Sequence, residues 1–177
     1  MSDEFGQQMI ALLPNLRRFA ISLARSRDVA DDLVQTACEK ALASRDSYAP
    51  GTRFDAWMFR ILRNTWIDRV RRQRTEGVRI DIDDAHDLVG SDGSASAERR
   101  LMLSATAAAI AGLPDDQREV LVLVCVEELS YRDAAGVLDV PIGTVMSRLA
   151  RGRRKLSENL GINDAPERSD TEKGTPG

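Results

Sequence analysis

Ser130-Tyr131-Arg132-Asp133-Ala134-Ala135-Gly136-Val137-Leu138-Asp139-Val140-Pro141-Ile142-Gly143-Thr144-Val145-Met146-Ser147-Arg148-Leu149 is the stretch whose reading settles the fold. Ser130 has the chemistry of an N-cap for a short helix over 131–138. A turn at Asp139-Val140-Pro141 follows, then a basic helix over about 143–160. A short helix, a tight turn and a basic second helix make a helix-turn-helix layout. Ala134 and Ala135 are small enough for the two helices to cross closely, and Val137, Leu138, Val140, Val145 and Leu149 are apolar side chains to bury between them and the preceding helix. Ile142, Thr144, Met146, Ser147, Arg148 and Arg151 are left at or near the exposed start of the last helix. Free N–H groups and basic side chains there can meet phosphates and major-groove base edges. A packed helical hairpin without a DNA partner is the plainer alternative.

Upstream, 101–111 reads as an alanine-rich helix stopped by Gly112 and Pro114, and 115–126 as a second helix with Val120, Leu121, Leu123 and Val124 apolar. Before them, Gly90-Ser91-Asp92-Gly93-Ser94 has neither helical nor strand periodicity and reads as linker. The first block is again helical. Leu12, Leu16, Phe19, Ala20 and Leu23 recur at helical spacing, as do Ala30, Leu33, Val34, Ala37, Cys38 and Ala41. Asp28 is the expected N-cap of the second set, with Asp31 and Asp32 in its first turns, where the helix dipole favours negative charge. Tyr48-Ala49-Pro50-Gly51 breaks the pattern, and Thr52 with Asp55 resembles a capping pair opening a long helix to about Arg74. The expectation is an all-α chain of two small helical domains, 1–80 and 98–162, joined by a flexible acidic linker, 81–97, and followed by a disordered polar tail, 163–177.

The long third helix carries chemistry on one stripe. At 3.6 residues per turn, Trp57, Arg60, Asn64, Asp68 and Arg71 fall within an arc of about 80°, while Phe54, Met58, Ile61, Leu62 and Thr65 occupy the adjoining arc that faces the core. An amide, guanidiniums and an aromatic on one stripe can bond base edges, hold phosphates and stack on an unpaired base. A half-buried Trp57 flanked by solvated polar residues is the bland reading. Charge placement favours the first. The net charge is −3, yet 60–79 holds seven arginines against two acids, 81–98 holds six acids and no lysine or arginine, and Arg148, Arg151, Arg153, Arg154 and Lys155 form a second basic block. Two basic stretches divided by an acidic one suggest two surfaces for a polyanion.

Composition excludes other classes. With 177 residues, 42% hydrophobic and 5% aromatic, the chain can bury a core, but it has no apolar run of membrane-spanning length, and insertion into a membrane is not expected. Met1-Ser2-Asp3-Glu4 does not resemble a secretory leader, so a cytoplasmic location is expected. Cys38 and Cys125 both read as small core residues, without a disulfide framework. His86 is the sole histidine and has no cysteine near it, so neither a metal site nor a cofactor is expected. There is no phosphate-cradling glycine loop, and no catalytic constellation is expected.

Five segments together resemble a known family: Asp31-Asp32-Leu33-Val34-Gln35; Phe54-Asp55-Ala56-Trp57-Met58-Phe59-Arg60-Ile61-Leu62-Arg63-Asn64; Leu113-Pro114-Asp115-Asp116-Gln117-Arg118-Glu119; Ser130-Tyr131-Arg132-Asp133-Ala134-Ala135; and Gly143-Thr144-Val145-Met146-Ser147-Arg148-Leu149. In this order and at these separations they look like the signatures of extracytoplasmic-function (ECF) RNA polymerase sigma factors, most similar to the general-stress, EcfG-like group of alphaproteobacteria. The resemblance implies core RNA polymerase (β′ clamp and β subunits), promoter DNA and an anti-sigma protein as partners. It implies clamp docking through Asp31, Asp32 and Gln35. Capture of the −10 element would fall to the 47–52 loop with Tyr48, Trp57, Arg60, Arg63, Asn64 and Arg71, and the −35 element to Thr144, Ser147, Arg148 and Arg151. Asp139 stands where the family usually has Gly, and Met146 where Lys is common. Gly136 and Gly152 lie inside expected helices, each at a cost of about 1 kcal/mol relative to Ala. An operator-binding regulator acting without polymerase would explain the second block but leave the Trp57–Asn64 stripe unused.

Overall fold

The computed structural model describes residues 2–77 and 97–162. The expected linker, apart from Ala97, and the expected tail lie outside the described residues. Those described form seven α-helices: α1 (Ser2–Ala24), α2 (Arg27–Ala43), α3 (Phe54–Glu76), α4 (Ala97–Ala111), α5 (Asp115–Leu121), α6 (Tyr131–Leu138) and α7 (Ile142–Leu160). A 3-10 turn, Arg45–Ser47, leads out of α2, and one π-helical turn, Val122–Val126, extends α5.

In the first block α1, α2 and α3 pack pairwise around Leu16, Phe19, Ala20, Leu33, Ala37, Met58, Phe59 and Leu62. Phe59 meets Phe19 edge-to-face at 5.4 Å, a favoured aromatic geometry. Of the face expected to turn inward on α3, Met58, Leu62 and Thr65 are buried, and Phe54 and Ile61 pack beside them. In the second block α5 and α6 pack on α7, with Val120, Leu121, Ala134, Val137, Leu138, Val145 and Leu149 buried. Gly152 is buried where α7 crosses α5. A Cβ there would lie 3.4 Å from the Gln117 carbonyl and 3.5 Å from its Cβ, ordinary contact distances that leave no room for a larger side chain.

Several local details differ from the sequence reading. The N-cap of α2 is Ser26, whose extended backbone and hydroxyl face the Val29 N–H, and Asp28 lies in the first turn. Thr52 does not cap α3. Its hydroxyl donates to the Ala49 carbonyl at 2.7 Å, closing the Pro50-Gly51 turn, while the Asp55 carboxylate accepts from the Ala56 N–H at 2.7 Å. Cys125 is exposed instead of buried, because the π turn rotates it off the apolar face; Cys38 is half-buried. Ser130 does cap α6, accepting from the Asp133 N–H at 3.0 Å, and Asp139 ends it in the left-handed region, φ 54°.

The two helical blocks pack against each other. α1 touches α5 and the π turn, α3 packs on α6, and the buried side chains of both blocks form one contiguous cluster. Among the described residues, no helix is long and apolar enough to cross a membrane.

Candidate nucleic-acid interface

The exposed stripe of α3 begins in an aromatic nest. Phe5 from α1, Tyr48 from the loop, and Phe54 and Trp57 from α3 contact one another, with Phe5–Phe54, Tyr48–Phe54 and Tyr48–Trp57 centroids each 5.3 Å apart and Phe5–Trp57 centroids 6.1 Å apart. The Tyr48 hydroxyl donates to the Thr52 carbonyl at 2.8 Å, fixing the loop against the helix start. Trp57 is therefore half-buried, its ring engaged within the protein, as the bland reading of the stripe had it. Beside the nest, an open cavity of about 410 Å³ is lined by Gln8, Ala11, Leu12, Tyr48, Thr52, Phe54 and Asp55. Burial opposes ionisation of Asp55, but the Arg53 guanidinium and the Ala56 N–H outweigh it and hold the carboxyl below its ordinary range. A carboxylate, a hydroxyl, an amide and aromatic faces around one cavity are groups that can bond and stack an unpaired base.

Further along α3, Arg60, Asn64 and Arg71 are exposed, forming with Trp57 the stripe expected from helical spacing. Asp68, on the same stripe, lies 3.5 Å from Lys40 of α2. Arg63 is different: its Nε donates to the Glu119 carboxylate of α5 at 2.9 Å, and the two side chains are only 16% and 14% exposed. On α2, Asp31, Asp32 and Gln35 are exposed together. Asp31 receives a two-pronged bond from Arg17, at 2.7 and 3.0 Å, and Gln35 donates to Glu39 at 3.1 Å, while the Asp32 carboxylate belongs to the same acidic face.

The start of α7 presents Ile142, Met146, Ser147 and Arg151 to solvent, with Thr144 half-buried among them. Ser147 donates to the Thr144 carbonyl and Arg151 to the Ser147 carbonyl, bonds that a nucleic-acid acceptor could replace. Arg148 lies 3.5 Å from Asp116 and is 23% exposed at its side chain. Pro141 caps the helix, and its carbonyl accepts from the Thr144 N–H at 2.9 Å. No cluster that could hold a metal ion occurs among the described residues.

The sequence reading gave no joining role to the residues that hold the blocks together. Arg118 is 2% exposed, and its guanidinium donates to the carbonyls of Ser22 at 2.6 Å and Leu113 at 2.8 Å, and to Asp115 at 2.6 Å. It thereby satisfies a last-turn carbonyl of α1 and one just beyond α4, where helix dipoles favour a cation. Burial lowers the Arg118 pKa, opposed by the Asp115 hydrogen bond. Glu127, with a side chain 0% exposed, accepts two bonds from Arg18, at 3.0 and 3.1 Å, and one from Asn15 at 2.6 Å. A strong cation inside an apolar helix pattern at Arg118 was the one available sign.

Comparison with known proteins agrees with this architecture. The family description Sigma-70 region 2 matches residues 9–76, and Sigma-70, region 4 matches residues 103–156. The ECF RNA polymerase sigma factor EcfG of Rhodopseudomonas palustris is 40% identical over 165 residues, 93% of this chain and 90% of that protein. The sigma factor RpoE from Bartonella quintana, solved in complex with the anti-sigma factor NepR, is 36% identical with a TM-score of 0.75, over 90% of this chain and 98% of that one. CnrH, solved with the cytosolic domain of CnrY, is 28% identical with a TM-score of 0.65, over 92% and 91% of the two chains. The chain belongs to the extracytoplasmic-function family of RNA polymerase sigma factors.

Proposed function

We propose that this sigma factor divides its work between its two blocks. The first, 1–80, docks on the polymerase β′ clamp through Asp31, Asp32 and Gln35 and reads the −10 element with Tyr48, Trp57, Arg60, Arg63, Asn64 and Arg71. The second, 98–162, contacts the β subunit and reads the −35 element with Thr144, Ser147, Arg148 and Arg151. The observation that carries the reading is the cavity beside the aromatic nest, opening next to a helix with exposed Arg60 and Asn64. It has the size and chemistry to receive a single extruded base. Unpairing a base costs a few kcal/mol and is offset by stacking and pocket contacts. Tethering to polymerase raises the local concentration of both reading surfaces, so two weak contacts select one start site.

An anti-sigma protein controls the chain in the cytoplasm, and the genes served are stress-response genes. Support comes from relatives: RpoE was solved with the anti-sigma factor NepR and CnrH with the cytosolic domain of CnrY, and EcfG is similar along nearly the whole chain.

Run-off transcription with purified core polymerase on genomic DNA tests the division of labour. Asn64→Ala should damage opening and −10 choice, and Arg148→Ala should weaken −35 dependence. Equal transcription by both variants and the parent would refute the residue roles.

A further inference from the structure

The Leu113-Pro114-Asp115-Asp116-Gln117-Arg118-Glu119 segment has no part in the promoter reading above, yet it sits at the joint between the blocks. Glu119 holds Arg63 of α3 at 2.9 Å, and Arg118 holds the Ser22 carbonyl of α1 at 2.6 Å. Downstream, the fully covered Glu127 carboxylate is gripped by Arg18 and Asn15 of α1, and Asp133 of α6 lies 3.3 Å from Arg53. With Asp115 at 3.7 Å from Arg25, at four places an acid of the second block faces an arginine of the first. We propose that Glu119 and Glu127 form an intramolecular latch, in which Glu127 ties the second block to α1 through Arg18 and the Glu119 carboxylate stands where a DNA phosphate would stand at Arg63. The proposal rests on the reading of Arg63 as a contact to the −10 backbone.

Geometry makes the latched state unable to serve a whole promoter. α6 packs on α3 and α7 packs on α6, so at helix spacings of 8–10 Å the axes of α3 and α7 stand at most about 16–20 Å apart where they flank α6. Elements centred near −10 and −35 are separated by about 25 base pairs, or roughly 85 Å of duplex at 3.4 Å per step. The joint must therefore open before both elements are held at once. A carboxylate and a phosphate oxygen are both strong acceptors for a guanidinium. Exchanging Glu119 for DNA at Arg63 replaces one charge-assisted bond with another, and polar interdomain contacts are of the kind that separate. The blocks also share buried apolar side chains, so the latch tips a balance that those side chains share in setting.

The test uses the full-length chain with Glu119→Gln alone and with Glu119→Gln/Glu127→Gln, each checked for folding by far-UV circular dichroism. Binding of a labelled single strand carrying the −10 sequence of a promoter recovered by run-off transcription is measured without polymerase, alongside the radius of gyration from X-ray scattering. The double variant should expand and bind the strand about tenfold more tightly, a change of 1.4 kcal/mol. Glu119→Gln should move part of the way. An unchanged radius and unchanged binding overturn the latch, and expansion without tighter binding overturns the competition at Arg63. If Glu127→Gln prevents folding, the single variant decides alone: tighter binding supports the competition and unchanged binding overturns it. Adding Arg63→Ala to the open variant separates the two layers. Loss of the gain supports both the latch and the contact, while an undiminished gain overturns Arg63 as the DNA contact, and with it the competition.

Discussion

Replacing Arg118 with Met tests the joint at its most buried point. The methionine is similar in length and keeps the apolar stem's packing, but it withdraws the guanidinium from the Ser22 and Leu113 carbonyls, bonded at 2.6 and 2.8 Å. Two hydrogen bonds to a charged donor contribute roughly 3–6 kcal/mol together. Part of that is returned, because the variant no longer removes a cation from water; a net loss of about 3 kcal/mol is expected, at the lower end of what breaking a buried charged contact costs. The Asp115 contact adds little, since that carboxylate is 81% exposed. With a urea slope of about 2–3 kcal/mol/M, the unfolding midpoint should fall by about 1 M. Both tryptophans, Trp57 and Trp66, lie on α3, so their fluorescence follows the first block while far-UV circular dichroism follows every helix. The two probes should coincide in the parent and separate in Arg118→Met. A midpoint shift below about 0.3 M with coincident probes would refute a structural role for this arginine.

Three further outcomes are expected. Gly136 is exposed, and a Cβ there meets nothing within 4 Å, so Gly136→Ala should stabilise by about 1 kcal/mol and raise the calorimetric melting temperature by roughly 2–4 °C. Gly152→Val should do the opposite, because its branches must displace Gln117 and Leu121 of α5; thermal melting should drop by several degrees, as crowding of a packed crossing costs about 1–3 kcal/mol. The Asp55 carboxyl titrates below its ordinary value in the folded chain, so its contribution is present above the unfolded value and lost as pH falls through the folded one. Urea midpoints from neutral pH to below about pH 4 should therefore fall less steeply with acid in Asp55→Asn than in the parent, and parallel curves would contradict that.

The helices were legible because their apolar residues recur at 3.6, and the helix-turn-helix because Ser130, Asp139 and Pro141 punctuate it. Caps were less so. Ser26 and Asp28 both have N-cap chemistry, and only backbone extension at Ser26 decides between them. Thr52 was misread because the Pro50-Gly51 turn claims its hydroxyl first. Of the candidate site, the exposure of Arg60, Asn64, Arg71, Ser147 and Arg151 follows from helix faces alone. The engagement of Trp57 with Phe5, and of Arg63 with Glu119, does not. Both need partners 52 and 56 positions away to meet in space, and no local pattern encodes such meetings. Cys125 was placed inward by an α-helical period that the chain abandons at Val122.

That abandoned period has a consequence for how such a joint arises. The Glu127 N–H bonds the Val122 carbonyl five positions back, so the turn winds in one more residue than an ordinary helix holds. The surplus swings everything after it by about 100° of azimuth. Excising a single codon there would restore a regular helix and point the acid away from Arg18, while leaving every other side chain chemically intact. Here the length of the chain, more than its chemistry, aims the group.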